Sequence, residues 1–262
     1  MAQATALRLE LNVPAYRLDV RMDSILVRSY SVAVGMRSFK TPVGSFEITH
    51  VVWNPWWQPP ASDWAKEDTL TPPGPTNPMG KVKLAIREEY YLHGTPAATS
   101  IGTAASHGCV RMRNEDAVDL ARLLQNETQA AIDSVGLDSL LSSWNVTRTV
   151  DLPAPVPIQV LYRLAEVRDA TLTLYRDIYR EQNGSVRDRA VTALAAAGYD
   201  TTRIVPPALA AFLERAVRGT ASIAVDSLMW QDTIPVRDRA VTPTASRLSP
   251  SAQLRTPSKE CV

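Results

Sequence analysis

Between Leu7 and Val52, apolar and polar residues alternate with period two in four short runs: "LRLELNV", "YRLDVRM", "ILVRSYSVAVG" and "SFEITHVV". A two-residue period sends successive side chains to opposite faces, so these runs predict half-buried strands. Asp23-Ser24 marks a hairpin turn between two of them, and Pro42 and Gly44 punctuate the approach to the last, so an antiparallel meander is expected. "KVKLAIR" and "YYLHG" predict two further strands. The second should end at His93, with the imidazole pointing into solvent over the sheet rim. Residues 53–80 have no period and combine many prolines with four of the six tryptophans. Loops this long are functional or disordered, and clustered indoles are costly to leave wet. The indoles therefore either patch the core or wall a binding cleft.

The period changes after Arg113. "NEDAVDLARLLQ" sets Val118, Leu120, Ala121, Leu123 and Leu124 on one helical face, with Asn114 as the expected N-cap and Glu115 and Asp116 favouring the first turn. A second helix is expected in "TQAAIDSVGLDSLLSSW", broken near Gly136, and "PVPIQVLYRLAEVRDATLTLYRDIY" predicts a closing hairpin with "RDA" as its turn. Beyond Gln182, "RDRAVTALAAAGY" and "PPALAAFLERAVRG" are alanine-rich helical segments. The stretch from about Asp232 onward is rich in Pro, Ser, Thr and Arg and is expected to be mobile.

Composition changes this picture little. With 45% hydrophobic and 21% charged residues the chain is that of an ordinary globular protein, and its net charge of +1 gives no footprint for nucleic acid or an anionic membrane surface. No apolar run reaches the roughly 18–20 residues of a transmembrane helix. Ala2-Gln3-Ala4 has the small-x-small pattern of a signal-peptidase site, which fits a leader removed upstream as well as a plain start. Cys261 stands in the polar tail, and a bridge from it to Cys109 is not expected.

The chemistry concentrates in "LHGTPAATSIGTAASHGCVRMRN", which holds two of three histidines, one of two cysteines and three glycines. A thiol attacks a carbonyl as the thiolate. It needs an imidazole to take its proton and amides to hold the oxyanion. His93, Cys109 and the turn-prone residues between them can supply these parts, and Gly108 permits close backbone approach. Singly, each residue has a plainer account as a buried thiol or a hydrogen-bonded histidine. A zinc site of His93, His107 and Cys109 with water is the competing chemistry, although no second cysteine pair or H-x-E element accompanies them. "PMGKV" and "GTAASHG" lack phosphate-loop spacing.

"HGT" and "SHGCVRM", with twelve residues between His93-Gly94 and His107, resemble the signature of the L,D-transpeptidase catalytic domain, the YkuD family. The likeness extends through "YRLDV", "TPVGSFEI", "NPWWQPP" and "PGPTNPMGKVKL" to "PVPIQVLYRLAEV". It implies a mainly β fold with helices, α+β in class: a β-sandwich of mixed sheets with a capping helix after the cysteine, over residues 6–180. A small helical appendage over 183–230 and a Pro/Ser/Thr-rich tail over 231–262 would follow. The family reaction, acyl transfer from a peptidoglycan tetrapeptide stem with loss of D-Ala, would make Cys109 the nucleophile. His93 would be the base, oriented by the Gly94 carbonyl, although either imidazole could reach the thiol. His107 would shape the pocket and, with the amides of Gly108 and Cys109, assist the oxyanion. Ser106 would support this shell, and Arg111 would meet a substrate carboxylate or fix the loop. The resemblance implies no cofactor and no metal. The partners would be stem peptides, with a stem amine, a protein lysine or water as acceptor, and the place of action would be outside the cytoplasmic membrane. A non-catalytic wall-binding module is the alternative, and a zinc hydrolase a further one.

Overall fold

The computed structural model describes residues 7–130, 134–181 and 183–230. The expectations for the first residues, for the tail over 231–262 and for Cys261 lie outside the described residues. Strands β1 (Leu7–Asn12), β2 (Arg17–Met22) and β3 (Ile25–Ser31) form an antiparallel meander, with Asp23 in the left-handed region at the β2–β3 turn. The meander ends there, contrary to the four-run reading. β4 (Val34–Gly35) leaves to pair in parallel with β8 (Ala104–Ser106), and β5 (Gly44–Trp53) lies elsewhere in the main sheet. β6 (Val82–Arg87), β7 (Tyr90–Thr95) and β9 (Val110–Arg113) follow, and β10 (Arg148–Leu161) inserts between β1 and β5. The resulting eight-stranded sheet has the order β3-β2-β1-β10-β5-β6-β7-β9 and is mixed, with β1–β10 and β7–β9 parallel. In β10 the register against β5 breaks between Asp151 and Val156, where Pro153 and Pro155 have no amide hydrogen to offer a ladder.

Alternation decides which face is filled. Leu84, Leu92, Val110 and Met112 are buried, and α1 (Asn114–Glu127) packs across β6, β7 and β9 through Ala117, Leu120, Ala121 and Leu124. Asn114 is not the N-cap. It is the first helical residue, and its side chain accepts from the Lys81 amide at 2.9 Å and donates to the Thr95 carbonyl at 3.3 Å. The helix start is thus tied to the ends of the strands it covers. α2 (Ser134–Ser142) runs through Gly136 without a break, since one helical glycine costs only about 1 kcal/mol.

The predicted closing hairpin separates from the main sheet. β11 (Ala165–Arg168) and β12 (Thr171–Leu174), turning at Asp169-Ala170, pair with β13 (Ala221–Ala224) in a three-stranded antiparallel sheet. Leu172 and Leu174 share a core with Ala190 and Leu194 of α3 (Val186–Ala196), Leu209 and Phe212 of α4 (Pro206–Val217), and Val225 and Leu228. The segment beyond Gln182 thus builds an α+β second core with β11 and β12 rather than a helical appendage, because two helices with short apolar stripes need a sheet face to cover. Arg17 of β2 binds Glu166 of β11 at 2.6 and 2.9 Å and so joins the two sheets.

The loop of residues 53–80 is ordered by two buried asparagines. Asn54 Nδ2 donates to the carbonyls of Leu140, Ser143 and Val146. Asn77 Nδ2 donates to those of Pro55, Thr71 and Pro72, while its Oδ1 accepts from the Met79 amide at 2.8 Å. A proline-rich segment lacks the amides to pair its own carbonyls, and these side chains take their place. Asn77→Ala strands several carbonyls at once. The expected result is a loss of about 1–3 kcal/mol in denaturant unfolding and faster proteolysis within residues 56–76; unchanged values for both would show the clamp to be dispensable.

Candidate active site

Three neighbouring strands carry the site on the sheet face opposite α1. In the pairing of β6, β7 and β9, Lys83 stands opposite His93 and His93 opposite Arg111. Leu92 and Val110 are paired and buried on the helix side, so the residues one step before them, Tyr91 and Cys109, share the face of His93 and Arg111. The arrangement comes from the strand period together with a short parallel crossover from β7 to β9. Residues 96–109, with β8 in them, return the chain to the edge of β7.

His93 is not at an exposed rim. It lies inside β7, is only 5% exposed, and is covered on one side by β9. Nδ1 donates to the carbonyl of Gly94 at 2.7 Å, which leaves Nε2 as the unprotonated nitrogen of a neutral ring. Burial pulls its pKa down to about 4. The Gly94 and Pro78 carbonyls oppose this and the positive charges of Arg111 and Lys83 reinforce it. At neutral pH the ring is a proton acceptor. A side chain at Gly94 would strike Asn114 Oδ1, so the strand backbone can lie this close to the helix start only with glycine there.

Cys109 is half-buried, and its Sγ contacts the carbonyl of Glu89, in the turn between β6 and β7, at 3.6 Å. Burial raises the thiol pKa; the Tyr91 backbone, Arg111 and Lys83 each pull it back. The turn before it is tightly stitched. Ser106 Oγ accepts from the Gly108 amide at 3.1 Å and donates to the Cys109 carbonyl. The Gly108 amide is thereby engaged by the Ser106 hydroxyl. Gly108 has φ +111°, and a Cβ there would lie 2.7 Å from the Tyr90 ring.

His107 takes a different position from His93. Its ring stacks on Trp64 with centroids 3.9 Å apart and planes 3° from parallel, and meets the edge of Phe39 at 4.6 Å. Trp64 and Phe39 remain 38% and 39% exposed, so these rings form a wall beside the cysteine turn. The loop tryptophans thus divide between the two roles, for Trp53 is fully buried in the core. A cavity of about 490 Å³ opens within the same loop, lined by Pro59, Pro60, Ser62, Lys66 and Leu70, and neither Cys109 nor His93 borders it. Among the described residues no group of three or more metal-ligating side chains converges, so the zinc arrangement of His93, His107 and Cys109 is not assembled.

Several contributors lie outside the motif. Thr41 Oγ1 donates to the Gly108 carbonyl at 2.9 Å and accepts from the Gly35 amide at 2.9 Å. Tyr179 Oη accepts from the Thr41 amide at 3.0 Å and donates to the Gly35 carbonyl at 2.9 Å. These bonds fix the cysteine turn from behind, and no local pattern around residues 41 or 179 signals them. Lys83 was within reach of sequence reasoning: the alternation in "KVKLAIR" puts it opposite Val82, Leu84 and Ile86, on the face that carries His93.

Three relatives share parts of this chain. YkuD of Bacillus subtilis is 29% identical over 124 residues, covering 47% of this chain and 63% of its own. YkuD of Bacillus licheniformis is 33% identical over 108 residues, 41% of this chain and 53% of its own. YbiS of Escherichia coli K12 is 37% identical over 93 residues, 32% of this chain and 30% of its own. All three carry L,D-transpeptidase in their names, and this chain spans less than two thirds of the length of each. The family description of the L,D-transpeptidase catalytic domain matches residues 7–138, which contain β1 to β9, α1, the asparagine-clamped loop and Lys83, Tyr91, His93, Cys109 and Arg111. The chain belongs to the YkuD family of L,D-transpeptidase catalytic domains.

Proposed function

We propose that this protein is a peptidoglycan L,D-transpeptidase in which Cys109 is the nucleophile and His93 the general base. The observation that carries the reading is the neutral, buried imidazole of His93 on the same sheet face as Cys109, its Nδ1 proton committed to the Gly94 carbonyl. Nε2 takes the thiol proton as sulfur attacks the carbonyl of the diamino acid in a tetrapeptide stem. When the tetrahedral intermediate collapses, the bond to D-Ala breaks, and the departing amine takes the proton back from the imidazolium. A thioester on Cys109 remains. An amine of a second stem, a protein lysine or water then attacks it, giving up its proton to His93, and the thiol is restored. No cofactor is required at any step.

The other residues serve this sequence of events. Arg111, with no carboxylate partner among the described residues, is suited to an anionic group of the substrate. With the Gly108 amide bonded to Ser106, oxyanion stabilisation is assigned to the Cys109 amide and to the positive charge of Arg111. The ring of His107 and the exposed faces of Trp64 and Phe39 shape the wall along which a stem would lie. The substrate places the site of action outside the cytoplasmic membrane. No helix among the described residues is long and apolar enough to cross one.

Incubation with purified tetrapeptide stems should release D-Ala and give cross-linked or hydrolysed products. A carbapenem, a strained acyl donor, should leave a stable adduct on Cys109 that is lost in Cys109→Ala and slowed about 100-fold or more in His93→Ala. An unmodified, correctly folded wild-type protein would favour the non-catalytic binding module instead. The pH profile tests the base. An imidazole with a pKa of about 4 stays neutral through the mildly acidic range, so kcat/KM for acylation should hold down to roughly pH 5 before falling. An acid limb centred at the ordinary histidine value, about 6.5, would contradict this assignment.

A further inference from the structure

Lys83 lies outside the His-Cys signature, yet its place in the sheet joins it to the reacting thiol. It stands directly across from His93 on β6, and its Nζ sits 4.8 Å from the centre of the Tyr91 ring. Tyr91 and Cys109 occupy the same row of that face, one step along β7 and β9 from the row of Lys83, His93 and Arg111. Two cations thus share the face of one sulfur: Arg111 from β9, two residues along the chain from Cys109, and Lys83 from β6, its Nζ over the Tyr91 ring. Neither is paired with a carboxylate among the described residues. Half-buried charges on a sheet face are costly without a counter-charge. The side chains that could supply negative charge nearby are Glu88 and Glu89 in the β6–β7 turn, the Tyr91 phenol and the Cys109 thiol; His93 is neutral, and His107 is committed to the Trp64 stack. The Cys109 thiol loses a proton during the reaction and lies on the same face.

We infer that Lys83 is a second cation of the Cys109 site, stabilising the thiolate from the β6 side as Arg111 does from the β9 side. This rests on the transpeptidase reading only in taking the thiolate as the reacting species. Burial alone drives the thiol towards its neutral form, and each positive charge beside it opposes that drive. The influence is mutual: the thiolate helps Lys83 hold its proton against desolvation. A lysine that did no more than lay its methylene stem over Tyr91 would leave the sulfur unaffected.

The test is the pH dependence of Cys109 alkylation by iodoacetamide, read by mass spectrometry of the Cys109 peptide so that Cys261 does not interfere. Lys83→Met, close in length and uncharged, should move the alkylation midpoint upward by about one pH unit, whereas Lys83→Arg should keep it near the wild-type value. A Lys83→Met midpoint that coincides with wild type would overturn the inference, even if KM for a stem peptide rose. The same pair can be read with Lys83 intact. In ¹⁵N-lysine-labelled wild-type protein, converting Cys109 to its neutral carbamidomethyl form should lower the Lys83 Nζ midpoint, because coupling between two sites is reciprocal. An unmoved resonance would also overturn it, and this reading decides the matter if the methionine variant does not fold. Alkylation uses no acyl donor, so its result is separate from whether the protein cleaves a tetrapeptide.

Discussion

Three basic side chains in one row across β6, β7 and β9 set the terms for the rest of the site. Lys83, His93 and Arg111 stand opposite one another on a half-buried face, and three positive charges at that spacing would repel strongly. The structure resolves the conflict in the middle. His93 is the most deeply buried of the three, its Nδ1–H is spent on the Gly94 carbonyl, and its ring stays neutral. The outer two share their face with the Cys109 sulfur. In the proposed reaction this arrangement would supply a proton acceptor and a favourable field for the thiolate, without a carboxylate to orient the imidazole.

Holding that row in place is the task of the helix that follows β9 and of segments remote in sequence. The helix-side face of the same strands is closed by α1, whose first residue, Asn114, bonds to the backbone of Lys81 and Thr95 and so ties the ends of β6 and β7. Behind the cysteine turn, Tyr179 and Thr41 bind Gly35 and the Gly108 carbonyl. The turn can then hold Gly108 at a backbone angle that only glycine adopts cheaply. The asparagine clamps of residues 54 and 77 do the same for the loop that brings Trp64 against His107. Most of these supports are hydrogen bonds to buried backbone carbonyls, which are expensive to leave unmet.

Much of this could be read from the chain before any coordinates. Period-two alternation identifies the strands, the change of period after Arg113 locates α1, and the motif from His93 to Cys109 carries the family likeness. What escaped was long-range. Alternation alone carries the meander on through Val52, but strand order depends on which edges meet across the whole chain, and β10 enters between β1 and β5. Local pattern makes His93 an exposed strand end, because nothing near it in the chain signals that β9 pairs alongside β7 and covers it. Its burial gives it the depressed pKa. The hairpin after β10 reads the same whether it closes the main sheet or completes a second core, and the apolar stripes of α3 and α4 decide for the latter. Asn77, Thr41 and Tyr179 look unremarkable in sequence because their partners are carbonyls, and a carbonyl carries no side-chain signature.

His93 stays neutral between two cations on its sheet face. A proton NMR titration of the His93 Cε1–H resonance, assigned with a His93→Gln variant, tests it directly. A midpoint near pH 4 is predicted. A midpoint near the ordinary histidine value of about 6.5 would mean that the ring is neither as dry nor as closely bordered by positive charge as the sheet geometry requires, and would contradict a neutral His93 at the site.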